Sequence, residues 1–264
     1  MAVIVKGEFM KLKRYFIVWI GVSLMLLNVL LTLFTSLAED GMKWDFQFLC
    51  EQVIKNFVTM IFPMCITLIT GYIISREYTD DTLKNIITIP VSFQKILAGK
   101  LIISGILSVF LGAVCFAFTV VANFIMGYGG FSISAAFTGL LQMSLLGLLL
   151  YLTMLPIIVL TSRKKSSFLA GVIIAFVYGF VGMFANGALQ SIYPVSATLG
   201  LIRYRNGVEG VTWNTGLCLI SVLAMCIIGV ACMFLKPKTE NQNIKKIKRV
   251  APKKGKRKIL LRCP

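Results

Sequence analysis

The chain has 264 residues, of which 58 % are hydrophobic and 14 % charged, and its formal net charge is +17. Soluble domains carry about 25 % charged residues, so this composition excludes a water-soluble protein of this length. The apolar content also excludes a disordered chain, since there is ample apolar surface to bury. The composition indicates a membrane protein with an excess of basic residues.

Residues 1–14 predict an amphipathic helix that lies in the headgroup layer before the first span. Val5, Phe9, Leu12 and Phe16 recur at helical spacing, and the basic residues take the other faces. The alternative is a solvated leader in which this spacing is coincidental.

Six stretches are long and apolar enough to cross a bilayer as helices, because a core of about 30 Å needs about 20 apolar residues. None of them contains Asp, Glu, Lys or Arg, and the apolar runs are continuous rather than alternating, which favours helices over a β-barrel. The sequence therefore predicts an all-α integral membrane protein with a six-span transmembrane domain over residues 15–235. The predicted spans are 15–37, 57–75, 101–126, 136–160, 168–185 and 213–235.

The positive charge sorts to one side of the predicted membrane. With these six spans, 23 of the 27 Lys and Arg residues fall in the N-terminal segment, in the loops after the second and fourth spans, and in the tail. The acidic residues divide five and five between the two sides. The positive-inside rule then places both termini in the cytoplasm, and residues 38–56 become an acidic external loop.

The fifth predicted span carries small residues at a spacing of four: Gly171, Ala175 and Gly179. Small residues at this spacing let helix backbones approach closely. The close approach is expected either within this chain, which is the favoured interpretation, or between two copies.

Two further segments follow. Residues 186–212 are rich in apolar residues and predict a re-entrant external segment that folds back against the membrane, broken into two pieces by Pro194. Residues 236–264 predict a disordered basic tail that is attracted to anionic lipids of the inner leaflet. Nucleic-acid binding is conceivable from charge alone but is not expected.

The cytoplasmic loop after the second span has a more informative pattern. Thr79 is a typical helix N-cap, and Asp80 and Asp81 would lie in the first turn, where the helix dipole favours anions. Pro90 ends the helix, so the pattern predicts a short amphipathic helix at about 79–89. This helix would lie on lipid or insert into a groove on a partner protein. Its apolar stripe consists of Leu83, Ile86 and Ile87.

The loop resembles the first cytoplasmic loop of ABC-2 type ABC transporter permeases, and most closely the bacitracin-resistance and lantibiotic-immunity branch. That family's loop reads roughly E…GT(L/I)KN…P(V/I)SR…GK, and here Glu77 to Asn85, Ile89 to Ser92 and Lys95 to Lys100 match it. Asp81 and Phe93 depart from the pattern, which usually has Gly and Arg there. An amphipathic N-terminal helix, six spans and an apolar external segment before the last span are similar too.

The resemblance implies a permease subunit of an ATP-driven exporter in a bacterial cytoplasmic membrane. The short helix would be the coupling helix, which docks into a cleft of a separate ABC ATPase subunit. The resemblance also implies a second permease copy, as a homodimer or a heterodimer, and an amphiphilic cargo such as a peptide antibiotic or a lipid-like molecule. The residues implied in docking are Glu77, Asp80, Asp81, Thr82, Leu83, Lys84, Ile86, Ile87 and Pro90.

We expect no ATPase activity from this chain. A phosphate-binding loop needs G-x-x-x-x-G-K, and Gln94 and Val250 stand where its first glycine is required. ATP and magnesium are therefore expected on the partner, with no cofactor, metal or catalytic residue here. The absence of histidine excludes His-based acid–base chemistry and Ser-His triads.

Alternatives to an ATP-driven permease stay open at this point. A secondary transporter usually carries ionisable residues within its spans, whereas these spans offer the uncharged Asn28, Asn123 and Gln142. A membrane-embedded immunity or binding scaffold would need no energy source. An integral-membrane enzyme has the least support, because the chain has neither histidine nor paired intramembrane carboxylates.

Overall fold

The computed structural model describes residues 2–12, 15–37, 43–79, 93–162, 167–204 and 213–234. All regular secondary structure in these ranges is helical, which confirms the predicted helical class, and one isolated bridge joins Asp45 to Gly129. The described residues up to Met233 belong to one contact unit. The elements are α1 (Ala2–Leu12), α2 (Ile17–Ser36), α3 (Phe46–Asn56), a π segment (Phe57–Ile61), α4 (Phe62–Thr79), α5 (Phe93–Met126), α6 (Ile133–Thr161), α7 (Phe168–Val181), a 3-10 turn (Gly182–Phe184), α8 (Ala188–Ile192), α9 (Pro194–Leu201) and α10 (Thr215–Phe234).

Five helical stretches in the described residues are long and apolar enough to cross a membrane, judged by length and composition. The fifth predicted span, 168–185, is shorter: α7 has 14 residues and the 3-10 turn adds three. The count of six spans therefore stays a prediction. The long stretches are Ile17–Ser36, Phe46–Arg76, Gln94–Met126, Ile133–Thr161 and Thr215–Phe234.

The second long stretch begins earlier than the sequence indicates. The sequence predicts that residues 46–56 belong to an external loop, whereas in the structure they form α3, which continues through the π segment into α4. The Asp45 side chain caps α3 by accepting a hydrogen bond from the Phe48 N–H at 2.7 Å. The helix is amphipathic, with Gln47, Glu51 and Lys55 away from the core. Because these polar residues lower its mean hydropathy, a search for apolar runs does not detect it. Its buried face consists of Phe46, Leu49, Cys50, Val53 and Ile54.

The π segment has an identifiable cause in Pro63. Proline has no N–H, so the Thr59 carbonyl loses its α-helical donor and the proline ring crowds that turn. The chain responds with a wider turn, in which the Phe62 N–H donates to the Phe57 carbonyl five residues back. Gly179 of α7 packs against this turn, where a methyl group on it would lie 2.7 Å from the Thr59 carbonyl oxygen. Glycine therefore allows α7 to lie against the widened turn.

α5 and α6 approach each other through glycines. A methyl group at Gly147 would lie 2.5 Å from the Ser108 carbonyl oxygen, and one at Gly112 would collide with the Met143 carbonyl. Toward the start of α5, the Tyr151 hydroxyl donates to the Leu101 carbonyl at 2.7 Å. This pair of helices forms a close backbone contact that the pattern of apolar spans does not predict.

The turn between α5 and α6 binds the ends of α2 and α3. Gly130 has a φ of 80°, a backbone conformation that glycine adopts without strain. The Gly129 carbonyl accepts a hydrogen bond from the Phe46 N–H at 3.0 Å. The Tyr128 hydroxyl donates to the Ser36 hydroxyl at 2.8 Å, and its ring stacks on Trp44. We call the end of the bundle formed by residues 43–46 and 127–134 the far end.

Replacing Gly147 by alanine is expected to lower the thermal stability of the protein in detergent. The added methyl has no room beside the Ser108 carbonyl, and overpacking of this kind costs about 1–3 kcal/mol. Gly216→Ala is the control, because the nearest atom to its methyl is 3.4 Å away and alanine favours helix. Equal unfolding midpoints for the two variants would contradict the close α5–α6 contact.

Candidate functional site

The predicted docking loop connects α4 to α5. Asp80, Asp81, Thr82, Leu83, Lys84, Ile86, Ile87 and Pro90 lie outside the described residues, and only the backbone of Glu77 is described, within α4. The structure does describe the two helices from which this loop emerges: α4 ends at Thr79 and α5 begins at Phe93. We call the end of the bundle around Glu8, Ile73 and Lys100, near these two helix ends, the base.

A buried ion pair joins three helices at the base. The Lys100 ammonium of α5 lies 2.8 Å from Oε2 of Glu8 in α1 and donates to the Ile73 carbonyl of α4 at 3.3 Å. Lys11 contacts the other carboxylate oxygen of Glu8 at 2.6 Å. Glu8 is only 7 % exposed and Lys100 only 2 %. Two buried charges are tolerated here because each carboxylate oxygen has a cationic partner.

The surroundings hold Glu8 in its ionised form. Burial by itself would raise the pKa of this carboxyl group, because it disfavours the charged form. The hydrogen bonds and positive charges of Lys100 and Lys11 outweigh that effect and lower the pKa of Glu8 below its ordinary value. Glu8 is therefore ionised throughout the physiological pH range.

The ion pair accompanies a rotation of α1 that the sequence pattern does not predict. The predicted apolar face contains Val5, Phe9 and Leu12, but the structure buries Glu8 and Leu12 and leaves Phe9 56 % exposed. Because Glu8 has to meet Lys100, its side of α1 turns toward α5 and Phe9 turns outward. Two features of the sequence point to this ion pair: a single acidic residue in a basic segment, and a lysine beside an apolar run. Counting the charges of each loop does not show that these two residues meet.

A second contact holds the junction between α1 and α2 at the end of α4. The guanidinium carbon of Arg76 lies 4.7 Å from the centre of the Tyr15 ring, a cation–π distance. Tyr15 also meets Tyr72 edge-to-face, with ring centres 6.5 Å apart. α4 is therefore attached to the N-terminal region at Glu8, through Lys100, and at Tyr15.

A cleft of about 840 Å³ lies toward the far end, between α3, the first part of α6 and the residues that follow α9. This volume is in the range of small-molecule sites. Its lining is mixed: Phe137, Leu141 and Leu145 are exposed apolar side chains, and Gln142 and Arg203 are polar neighbours.

Residues 202–204 form the rim of the cleft and are held to both walls. The Tyr204 hydroxyl donates to the Glu51 carbonyl at 3.1 Å, and the Gln142 amide donates to the Ile202 carbonyl at 3.2 Å. Burial, with a smaller effect of the Glu51 charge, raises the pKa of Tyr204 to about 12, so its hydroxyl stays a donor. Arg203 between them has a φ of 54°, which is uncommon for a residue with a side chain.

The polar residues predicted within the spans have different surroundings. Asn28 is fully buried and donates to the Val53 carbonyl at 3.3 Å and to the Cys115 sulfur, so it joins α2, α3 and α5. Asn123 is buried in α5, whereas Gln142 lines the cleft. Of the three, Gln142 alone lines this cleft.

The small residues of the fifth predicted span lie on the buried side of α7. A methyl group on Gly171 would collide with the Thr161 hydroxyl of α6, and Gly179 packs on Thr59 and Pro63. Ala175 is fully buried between them. Each of these three residues faces other helices of the same chain.

Metal-ligating side chains are not grouped in threes anywhere in the described ranges. Cys50, Cys65 and Cys115 are buried as free thiols. The site that the described residues assemble is therefore made of a buried ion pair at the base and a mixed cleft toward the far end.

Replacing Glu8 by glutamine is expected to destabilise the protein at neutral pH. The buried Lys100 ammonium then loses the negative charge of Glu8, and removing one partner of a buried ion pair costs roughly 3 kcal/mol. Since the folded pKa of Glu8 is lowered, its stabilisation is complete above the unfolded pKa of about 4.3 and is lost as the pH falls from there. Thermal unfolding in detergent should show a large difference between wild type and E8Q at pH 7 that shrinks below pH 4.

Lys95→Met is the matched control, because Lys95 is an exposed lysine on the same helix as Lys100. We expect its unfolding midpoint to stay within the range of a surface substitution, about 0.5 kcal/mol. A difference between wild type and E8Q that is as large at pH 3 as at pH 7 would contradict the ionised pair.

The chain is similar to known transport proteins over much of its length. A family model described as "ABC-2 family transporter protein" matches residues 4–182, which run from α1 to the end of α7. The bacitracin transport permease protein BCRB of Bacillus licheniformis is 28 % identical over 164 residues, which are 62 % of this chain and 77 % of that protein. The family model covers more than half of the chain and confirms the resemblance seen in the loop. With five long apolar helices among its described residues, this chain belongs to the ABC-2 family and is a multi-pass membrane permease of an ABC transporter.

Proposed function

We propose that this permease is the membrane subunit of an ATP-driven exporter of amphiphilic molecules, with peptide antibiotics as the first class to test. A separate ABC ATPase subunit binds ATP and magnesium and docks on the loop between α4 and α5, and this chain is non-catalytic. The observation that supports this most is the base. There the loop of residues 80–92 joins two helices that Lys100 and Ile73 hold together, within the region that matches the family.

The proposed orientation puts the base in the cytoplasm and the far end outside. With six spans, 23 of 27 basic residues are cytoplasmic, as the positive-inside rule requires. α7 and its 3-10 turn supply the sixth crossing, which at 17 residues is at the lower limit for a helix. The exposed apolar side chains of α1, Phe9 and Met10, fit an interfacial position beside the cytoplasmic leaflet.

The proposed transporter contains two permease copies and two ATPase subunits. Much apolar surface of α2 and α10 is exposed in a single chain. Of the 18-residue apolar segment of each helix, only 33 % is buried in α2 and only 17 % in α10. Lipid and a second copy of this chain, or of a related permease, share that surface. The basic tail, 236–264, contacts anionic lipids on the cytoplasmic side.

The cleft fits an amphiphilic cargo. Phe137, Leu141 and Leu145 offer an apolar strip along α6, while Gln142 and Arg203 offer polar groups beside it. A molecule with an apolar part and a polar part is complementary to such a lining. The similar Bacillus protein carries bacitracin transport in its name, which makes bacitracin the first cargo to test.

Introducing charge on the docking stripe is expected to abolish ATPase binding. Leu83→Asp/Ile86→Asp puts two carboxylates on the face that inserts into the ATPase cleft, where an unpaired buried charge is strongly unfavourable. Co-purification of the partner ATPase with the tagged permease is the measurement, and we expect it to fall at least about tenfold. The control is Ile133→Asp/Leu189→Asp, which adds the same charges at two exposed apolar positions elsewhere. Normal ATPase binding by the loop variant would show that the loop is not the docking site.

Filling the cleft is expected to reduce transport. Leu141→Trp adds an indole to the cleft, whereas Leu160→Trp makes the same change on the same helix outside it, at nearly equal exposure, 54 % against 51 %. In cells that express the permease with its ATPase, survival in bacitracin should fall about tenfold for the first variant and stay unchanged for the second, as loss of about 1.4 kcal/mol of binding predicts. Equal survival of both variants would contradict the cleft as the cargo site.

A further inference from the structure

We propose that Glu8 and Lys100 are positioning residues for energy coupling, and that α1 is a moving part of the transporter. Through this ion pair, α1 follows α4 and α5 when the ATPase displaces the loop between them, and α1 passes the displacement to α2. The proposal rests on the proposed function, because it needs an ATPase docked on the loop.

The first step is the position of Lys100 between the two helices of the loop. Lys100 lies seven residues into α5, about 10 Å from its start, and Ile73 lies six residues before the end of α4, about 9 Å from it. The ammonium group of Lys100, a residue of α5, therefore contacts α4 at the Ile73 carbonyl. It bonds the helix before the loop to the helix after it. A displacement of the loop that moves both helices also moves this charge.

The second step is the bond from Lys100 to α1. Charge-assisted hydrogen bonds of 2.8 Å and 2.6 Å hold the Glu8 carboxylate on both of its oxygens. Such bonds are directional, whereas apolar contacts let helices slide past one another. With Lys100 2 % exposed, little water is at hand to replace a broken contact. α1 therefore moves with the base rather than staying behind.

The third step leads from α1 to α2. Leu12 and Ile17 are buried on either side of the junction, and the Tyr15 N–H donates to the Leu12 carbonyl at 3.0 Å, so the end of α1 is bonded to the residues that lead into α2. Arg76 and Tyr72 of α4 hold the Tyr15 ring. These contacts join the junction to α4, whereas the Glu8–Lys100 pair joins α1 to α5. α2 in turn is bonded to α3 and α5 through Asn28 and reaches the far end.

The test uses the intact complex of permease and ATPase in lipid nanodiscs. The decisive variant is Glu8→Met/Lys100→Met, because replacing a buried ion pair by apolar side chains of similar volume often leaves stability unchanged. Glu8→Gln is the single variant and Lys95→Met the control on an exposed lysine of α5. A fluorophore attached at Ile133→Cys, an 86 % exposed position at the far end, reports the movement that ATP causes there. The same labelling of the chain without this cysteine gives the background.

We expect Glu8→Met/Lys100→Met to unfold near the wild-type temperature and to bind the ATPase normally. Its ATP-driven fluorescence change, divided by its rate of ATP hydrolysis, should fall about tenfold, a typical size for coupling between two sites. Glu8→Gln should show the same loss, and Lys95→Met should keep the wild-type ratio. If the ion pair only stabilised the fold, a variant of wild-type stability would keep its coupling. A loss of coupling at unchanged stability therefore indicates a positioning role.

Two results would overturn the proposal, and they are distinguishable. A full ATP-driven signal from Glu8→Met/Lys100→Met, with normal assembly, means that the pair only stabilises the fold and overturns this proposal alone. A wild-type chain that binds no ATPase overturns the proposed function and this proposal with it. If Glu8→Gln fails to fold, the double variant still decides between the two.

Discussion

A carboxylate buried at the edge of a membrane bundle requires cations around it, and this requirement shapes the base of the permease. Glu8 accepts a hydrogen bond from Lys100, and Lys100 also donates to the Ile73 carbonyl. The free energy of keeping an unpaired charge out of water is several kcal/mol, so the three helices have little freedom to separate. The angle of α1 around its axis and its contact with α5 both follow from this constraint.

The rest of the described bundle uses small residues and carbonyl contacts instead of charge. Gly147 brings α6 against α5, and Gly179 brings α7 against the π segment. In a membrane no hydrophobic effect drives helices together, so close van der Waals contact of this kind supplies much of the attraction. The base is thus held together by charge, and the length of the bundle by glycine contacts.

Hydropathy and spacing predicted much of this fold, and the exceptions have physical reasons. The long apolar runs identified α2, α5, α6 and α10, because nothing but burial in lipid explains such composition. α3 was not predicted because half of its surface is polar, and only the cap at Asp45 marks its start. The ion pair was not predicted because its partners are 92 residues apart in the sequence. Each was counted only as a charge on the predicted cytoplasmic side. The docking stripe of Leu83, Ile86 and Ile87 stays a prediction from pattern and resemblance, since it lies outside the described residues.

The widened turn before Pro63 has a consequence for the register of the long second stretch. A π turn contains one residue more than an α turn, and one residue corresponds to a rotation of about 100° around the helix axis. α3 and α4 therefore form one rod whose two halves face different neighbours. Cys50 and Glu51 in α3 line the cleft, while Ile66 and Ile69 in α4 pack in the core. A chain shortened by one residue within Phe57–Ile61 would keep its span but turn the cleft wall away from its partners.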